Sequence, residues 1–197
     1  FLKKEVVFWQ DMVRGDCKYS MENISDPILV RGDGRFIYTL ASVIDDIDFN
    51  ISHIIRGEDH VTNSATQIQI FQSLGAIAPK MAHLSLMTDF KGDGLSKRIG
   101  SLSIKDLRNE EIESLSLNSY LSLSGTSKNI VLKESLNEII SNFEITNFSR
   151  APIKFNYHDL KVLNSKFFQT LDYDDIKLRF KKHEFKLEKN VWELIRT

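Results

Sequence analysis

The sequence predicts an α/β sheet followed by a helical bundle. Three observations carry this reading. Strand formers crowd the first 34 residues, short apolar runs alternate with helical stripes from Phe36 to Met87, and past residue 103 the apolar spacing is helical almost throughout. Val6-Val7-Phe8-Trp9, Asp16-Cys17-Lys18-Tyr19 and Ile28-Leu29-Val30-Arg31 read as short strands. Gly32-Asp33-Gly34 is a turn that permits positive φ before Phe36-Ile37-Tyr38. From Tyr38, Leu40, Ala41, Val43, Ile44 and Ile47 recur at helical spacing, with Asp45, Asp46 and Asp48 outside that stripe on a solvated face.

Ile51-Ser52-His53-Ile54-Ile55-Arg56 fits a buried parallel strand, and Gly57-Glu58-Asp59-His60 a loop after it. Thr62 or Asn63 can cap a helix through Ile68, Ile70, Phe71 and Leu74, which Gly75 ends. Ala82-His83-Leu84-Ser85-Leu86-Met87 is the next strand. Beyond it, Ile112, Leu115 and the Tyr120/Leu121 pair form one helical stripe, and Leu136, Ile139, Ile140 and Phe143 a second. Leu160, Leu163, Phe167, Phe168 and Leu171 form a third, with Pro152 marking the connection before it. There is no internal repeat, and the serine-rich stretch Ser114–Ser127 keeps its leucines at core spacing.

The 197 residues include 26 Lys and Arg, 27 Asp and Glu, and a single cysteine. One cysteine excludes an internal disulfide framework and any zinc site built from several thiolates; no protein-bound zinc is expected. No apolar run reaches the roughly 18 residues of a membrane span, and a cytoplasmic setting with no membrane partner fits best. Phe1 stands where an initiator Met would, so the chain is expected to be a piece of a longer polypeptide. Charge is uneven: residues 1–150 carry 16 basic and 20 acidic side chains, residues 151–197 carry 10 and 7. Lys177, Arg179, Lys181, Lys182, Lys186 and Lys189 form either a polyanion contact or a solvated helix face.

Three segments carry chemistry when read together. They are Asp33–Tyr38 running into Ser42–Asp46, then His53–His60, then Gly94-Leu95-Ser96-Lys97-Arg98 behind Lys91-Gly92-Asp93. Lys97, in a glycine-flanked polar loop, suits stabilisation of negative charge growing on phosphate oxygens. Arg56 ends an apolar strand, where α/β sheets build sites, and a guanidinium can grip a carboxylate through two parallel bonds. A structural ion pair from Arg56 to Glu58 or Asp59 is the competing reading, and for Tyr38 it is a core aromatic with its hydroxyl at the rim. Adjacent Asp45 and Asp46 point apart on a helix and make no metal site. His53, His83, His158 and His183 lack ligand-like spacing.

In order and spacing these segments resemble the second half of the catalytic domain of bacterial glutamyl-tRNA synthetases, which are class I aminoacyl-tRNA synthetases. Ile55-Arg56-Gly57-Glu58-Asp59-His60 is very close to the family's form, and Asp11-Met12-Val13-Arg14-Gly15 resembles the end of its acceptor-binding insertion. Asn118–Gly125 resembles the "NYLALLG" helix and Ala151–Phe155 the "SPAVFD" segment. The resemblance implies the second half of a Rossmann-type nucleotide-binding domain plus a helical stem-contact bundle. Its expected divisions are the insertion's end at 1–34, catalytic half at 35–103, stem-contact helices at 104–184 and the start of the anticodon-binding region at 185–197.

The same resemblance implies ATP-dependent activation of glutamate and its transfer to tRNA. Lys97 corresponds to the second lysine of the KMSKS signature loop and is the implied catalytic residue, with Ser96 and Arg98 beside it on ATP. Gly94 stands where the loop's first lysine would be, and Leu95 follows it. Tyr38, Arg56 and, more weakly, Ser42 are implied for glutamate; Glu58, His60 and Met87 are implied for the ATP pocket, with capping or packing as the alternative for the first two. Implied partners are ATP with Mg²⁺, glutamate and tRNA(Glu), with tRNA(Gln) a second candidate, in a monomeric parent enzyme. Arg56 and Lys97 are expected to face one cleft. A His-x-Gly-His element is expected upstream, so the chain alone should not form glutamyl-adenylate. Two other readings are a glutamyl-queuosine tRNA(Asp) synthetase, disfavoured by the helices after residue 103, and a non-catalytic RNA-binding module, disfavoured by Lys97 and Arg56.

Overall fold

The computed structural model describes residues 2–22, 24–89, 92, 95, 103–181 and 186–196, with the side chain of Lys181 excepted. The chain divides into two units: residues 1–86 with 144–153, and residues 87–143 with 154–197. The sequence-based divisions at 34/35 and 103/104 fall inside the first and second unit respectively.

In the first unit, β1 (Val6–Asp11) and β2 (Gly15–Ser20) form an antiparallel hairpin in register from Val6↔Ser20 to Asp11↔Gly15. Gly15 sits at φ +71°, a left-handed conformation that closes the hairpin, and a Cβ there would stand 3.1 Å from Arg150. β3 (His53–Gly57) and β4 (Lys80–Leu84) pair in parallel, and β1 joins β4 in parallel at Asp11↔Met81. The sheet order is β2-β1-β4-β3, so the hairpin and the parallel pair share one sheet.

Parallel neighbours need a crossover connection, supplied by α2 (Val61–Ser73), while α1 (Tyr38–Asp48) packs Val43 against Ile70 and Phe71 of α2. A second cluster, Val7, Met21, Ala65, Ile68 and Met81, joins hairpin, α2 and β4. Residues 144–153 return to this unit, where Ile145 and Phe148 pack on Ala82.

Three expectations fail here. The parallel strand within Ile51–Arg56 is not buried: β3 is the edge of the sheet, with His53 and Ile55 exposed. Ile28–Arg31 is no strand: it makes only a bridge from Val30 to Phe36, closed by Gly34 at φ +82°. Its strand propensity meets no neighbouring strand, and Pro27 contributes no N–H. Neither Thr62 nor Asn63 caps α2. A 3₁₀ turn, Glu58–His60, runs directly into the helix at Val61, so turn carbonyls take the place of a side-chain cap.

The second unit holds a two-residue strand, β5 (Met87–Thr88), and helices α3 (Ile104–Asn109), α4 (Ser114–Leu123), α5 (Leu136–Asn142), α6 (Tyr157–Thr170), α7 (Tyr173–Lys181) and α8 (Lys189–Ile195). Leu107, Tyr120, Leu160 and Leu163 form one core; Ile176, Leu187 and Trp192 form another. The buried face of α4 is Ser116, Ser119, Tyr120 and Leu123, so Leu121 of the predicted stripe points outward. Small serines let α4 lie close to α6, whose Asn164 accepts from Glu113 N–H and donates to Glu111 C=O. The predicted α5 stripe is not core either: Ile139 is buried while Leu136, Ile140 and Phe143 are exposed. Among the described residues no helix is long and apolar enough to cross a membrane.

Candidate active site

The first unit builds a polar cluster around Arg56, the fourth residue of β3. Parallel strands deliver their C-terminal ends to one edge, and the helix that follows starts beside that edge. Register pairs Arg56 with His83 on β4. Ser64 and Gln67, three residues apart on α2, share the helix face toward β3. Tyr38 and Ser42, four apart on α1, present a second face to the same point.

The contacts are short and specific. Arg56 Nη2 donates to Ser64 Oγ at 2.6 Å and to Gln67 Oε1 at 2.7 Å. Arg56 Nε donates to His83 Nε2 at 3.4 Å, and Nη1 to the Tyr38 hydroxyl at 3.1 Å. Gln67 in turn donates to Ser42 Oγ at 2.7 Å, and Ser42 to the Tyr38 carbonyl at 2.7 Å. Ser64, Gln67 and His83 are fully buried, Arg56 is half-buried and Tyr38 is 53% exposed. The guanidinium is thus anchored on a buried floor and opens toward Tyr38.

A guanidinium has five N–H donors. Four of them face Ser64, Gln67, His83 and Tyr38, which leaves one Nη1 proton. Because Tyr38 accepts from Arg56, its own O–H is available to donate. An incoming carboxylate therefore meets one Nη1–H and one phenol O–H, rather than the two guanidinium bonds expected from sequence. The competing ion-pair reading does not hold: Glu58 pairs with Arg14 at 2.7 Å and Asp59 lies 3.8 Å from His60. Among the described residues no carboxylate is within ion-pair distance of Arg56. Asp46 is half-buried instead of on a solvated face; burial pushes its carboxyl up, with the Arg56 charge opposing.

Behind Arg56 lies a second layer. His83 Nδ1 is 2.5 Å from Asp11 Oδ2, while Asp11 Oδ1 accepts from the amides of Val13, Arg14 and His83. Burial pushes the Asp11 carboxyl up, but the hydrogen bonds from the His83 ring and those three amides outweigh it and hold the group well below its ordinary value of 3.8. A carboxylate facing Nδ1 places the ring proton there, which makes Nε2 an acceptor for Arg56 and for Ser64 O–H at 2.8 Å.

Sequence reasoning missed this layer and Ser64 and Gln67 with it. The available signal was polar residues on an otherwise buried helix and a histidine inside an apolar strand.

The remaining predicted residues divide. Glu58 Oε1 accepts from Leu86 N–H at 3.4 Å, so both its oxygens are engaged within the unit. His60 stacks edge-to-face on Tyr38 at 5.7 Å and meets the Asn63 amide at 3.1 Å. Gly57 is tight: a Cβ would collide with the Asp59 carboxylate and stand 3.1 Å from Leu86. Met87 and Leu95 belong to the second unit, where Leu95 N–H donates to Met87 C=O at 3.4 Å. Gly94, Ser96, Lys97 and Arg98 lie outside the described residues, as do Lys91 and Lys182.

Of the basic stretch, Arg179 pairs with Glu113 and sits over the Phe167 and Phe168 rings, so it leaves the cluster; Lys177, Lys186 and Lys189 are exposed. No group of three or more His, Cys, Asp or Glu among the described residues could hold a metal ion.

The parallel-strand edge with its anchored arginine belongs to a Rossmann-like class I synthetase catalytic domain: residues 2–164 match the family model for tRNA synthetases class I (E and Q), catalytic domain. The chain belongs to that family. Among its relatives, glutamate–tRNA ligase 1 of Rickettsia typhi is 44% identical over 199 residues, covering 100% of this chain and 44% of the relative. Glutamate–tRNA ligase 2 of Orientia tsutsugamushi is 47% identical over 178 residues, covering 90% of this chain and 40% of the relative. A crystal structure of a glutamate tRNA ligase from Elizabethkingia meningosepticum, in complex with its amino acid, superposes with a TM-score of 0.83 at 26% identity over 98% of this chain and 43% of that one. The chain spans less than half the length of these proteins.

Proposed function

We propose that this chain supplies the glutamate-recognition side of a glutamate–tRNA ligase. The observation that carries the reading is the Arg56 guanidinium, held by neutral partners with one Nη1–H left beside the Tyr38 hydroxyl. These two donors hold the side-chain carboxylate of glutamate. The amide of glutamine offers no charge to the guanidinium and one acceptor atom instead of two.

An oxygen of the substrate's α-carboxylate attacks the α-phosphorus of ATP, the bond to the bridging oxygen breaks, and pyrophosphate leaves. A terminal ribose hydroxyl of tRNA(Glu) then attacks the acyl carbon and AMP departs. Lys97, with Ser96 and Arg98, stabilises the negative charge growing on the phosphate oxygens. Mg²⁺ arrives with ATP as part of the substrate.

Glu58 acts on the ATP side through Arg14 and the Leu86 amide, and His60 through its ring against Tyr38. Ser42 serves glutamate indirectly, by orienting Gln67. Lys177, Lys186 and Lys189 face the tRNA backbone, so affinity falls as salt rises. Whether tRNA(Gln) is charged as well rests on residues beyond this site.

Aminoacylation of a tRNA(Glu) transcript tests the reading in the polypeptide that carries this chain at its full natural length. Arg56→Ala raises the KM for glutamate and Lys97→Ala lowers kcat. An unchanged rate in Lys97→Ala supports a non-catalytic module in place of the ligase, and an unchanged glutamate KM in Arg56→Ala removes the recognition site.

A further inference from the structure

We propose that Asp11 and His83 are positioning residues for Arg56: their buried hydrogen bond fixes the imidazole so that Nε2 faces the guanidinium as an acceptor and turns the Nη1 edge toward bound glutamate. The proposal rests on the reading of Arg56 as the glutamate-binding arginine.

The three residues come from three adjacent strands, β1, β4 and β3. Asp11 is 2% exposed and His83 is fully enclosed. An ionised carboxylate in such a place is costly unless its oxygens are satisfied. Here Oδ1 takes three backbone N–H groups and Oδ2 the imidazole. The arrangement therefore has a direction. The carboxylate dictates which ring nitrogen carries the proton, and the other nitrogen must then accept. Arg56 Nε–H and Ser64 O–H are the donors that meet it. With Nε and both Nη2 protons anchored, the guanidinium cannot rotate in its plane, and only Nη1 faces the open side.

Bracing of the hairpin against the sheet is the competing explanation, and two substitutions separate it from positioning. Asp11→Asn keeps an oxygen for the three amides but presents an NH₂ group to Nδ1. The ring must then carry its proton on Nε2, which points a donor at the Arg56 donor, a tautomer switch of a kind known to disable catalytic histidines. His83→Asn does the opposite. Its amide NH₂ can still donate to Asp11 from near the Nδ1 position, so the brace survives, but the acceptor facing Arg56 is gone.

Both variants are measured in the full natural-length polypeptide by aminoacylation of a tRNA(Glu) transcript, with circular dichroism as a check on folding. The expected result is a glutamate KM raised about tenfold or more with the ATP KM within about twofold of wild type, since one hydrogen bond to a charged group is lost at the glutamate side alone. ¹⁵N spectra of the histidine rings should show His83 protonated on Nδ1 in wild type and on Nε2 in Asp11→Asn. In an Arg56→Ala background neither variant should raise the glutamate KM further.

An unchanged glutamate KM in a folded variant, an equal rise in the KM of glutamate and ATP, or no change of tautomer in Asp11→Asn overturns the proposal. Should Asp11→Asn not fold, His83→Asn decides alone. If Arg56→Ala itself leaves the glutamate KM unchanged, the recognition reading fails; if Arg56→Ala raises it and both variants leave it alone, this inference fails and that reading stands.

Discussion

Tyr38→Phe isolates one hydroxyl of the proposed glutamate clamp. The phenylalanine ring keeps the edge-to-face contact with His60, whose centroid lies 5.7 Å away, so packing at the start of α1 is preserved. What disappears is the oxygen that accepts from Arg56 Nη1 at 3.1 Å and whose own proton remains available to donate. A hydrogen bond to a charged group contributes about 1.5–3 kcal/mol, which corresponds to about 10- to 150-fold in affinity. Tyr38 is 53% exposed, so water replaces part of that bond in the free protein and the lower end applies, about tenfold.

Aminoacylation at varied glutamate should show that rise in KM, with the ATP KM and the melting temperature unchanged. Glutamine, which gains less from the hydroxyl, should lose less, so discrimination between the two amino acids narrows. A glutamate KM equal to wild type, or a parallel loss for glutamate and glutamine, would refute the two-donor clamp.

The second layer carries a stability consequence in acid. Asp11 has a folded-state pKa below its ordinary 3.8, so the folded state binds fewer protons than the unfolded chain; its contribution is present above about pH 4 and fades as pH falls further. Urea melts between about pH 6 and pH 3 should show wild type losing stability more steeply than Asp11→Asn, and equal slopes would contradict the assignment. Burial, aided by the Asp11 charge, raises the Cys17 thiol above 9.0, so iodoacetamide should alkylate it more slowly in native protein than in urea. Equal rates would place Cys17 in open solvent. Ser103 and Asp106 close a reciprocal cap on α3, and Ser103→Ala should cost about 1 kcal/mol in urea melts. No loss would mean the cap contributes nothing to folding.

The parts of the fold visible in the sequence are those set by short-range patterning. α1 begins at Tyr38 and α2 ends before Gly75, which takes φ +73°, because apolar spacing and a glycine stop act locally. Ile28–Arg31 misled because strand propensity says nothing about whether a partner strand lies alongside. Leu136, Ile140 and Phe143 misled because helical spacing marks a face without saying what that face meets. Arg56 and Tyr38 were legible through the segments around them, and the structure brings them together. Asp11 and His83 were not. They stand 72 residues apart, and only the pairing of β1 and β3 with β4 makes them neighbours of Arg56 and of each other.

The same sheet explains why Arg56 suits an anionic ligand. An arginine that holds a wall together is normally matched by a carboxylate, and its charge is then compensated before any ligand arrives. Here the four partners are a serine, a glutamine, a histidine and a tyrosine, all uncharged as hydrogen-bonded. Two nearby acids are directed elsewhere, Glu58 to Arg14 and Asp11 to His83 and the hairpin amides, while the half-buried Asp46 feels the Arg56 charge without reaching ion-pair distance. Holding a half-buried cation by neutral groups costs stability, because its desolvation is not balanced by an opposite charge. That cost is the expected mark of a binding site: the missing counter-charge is the one the ligand brings. A carboxylate arriving at Nη1 and the Tyr38 hydroxyl would complete an ion pair that the fold leaves open, whereas a neutral amide at the same place would leave the guanidinium without a direct ion-pair partner.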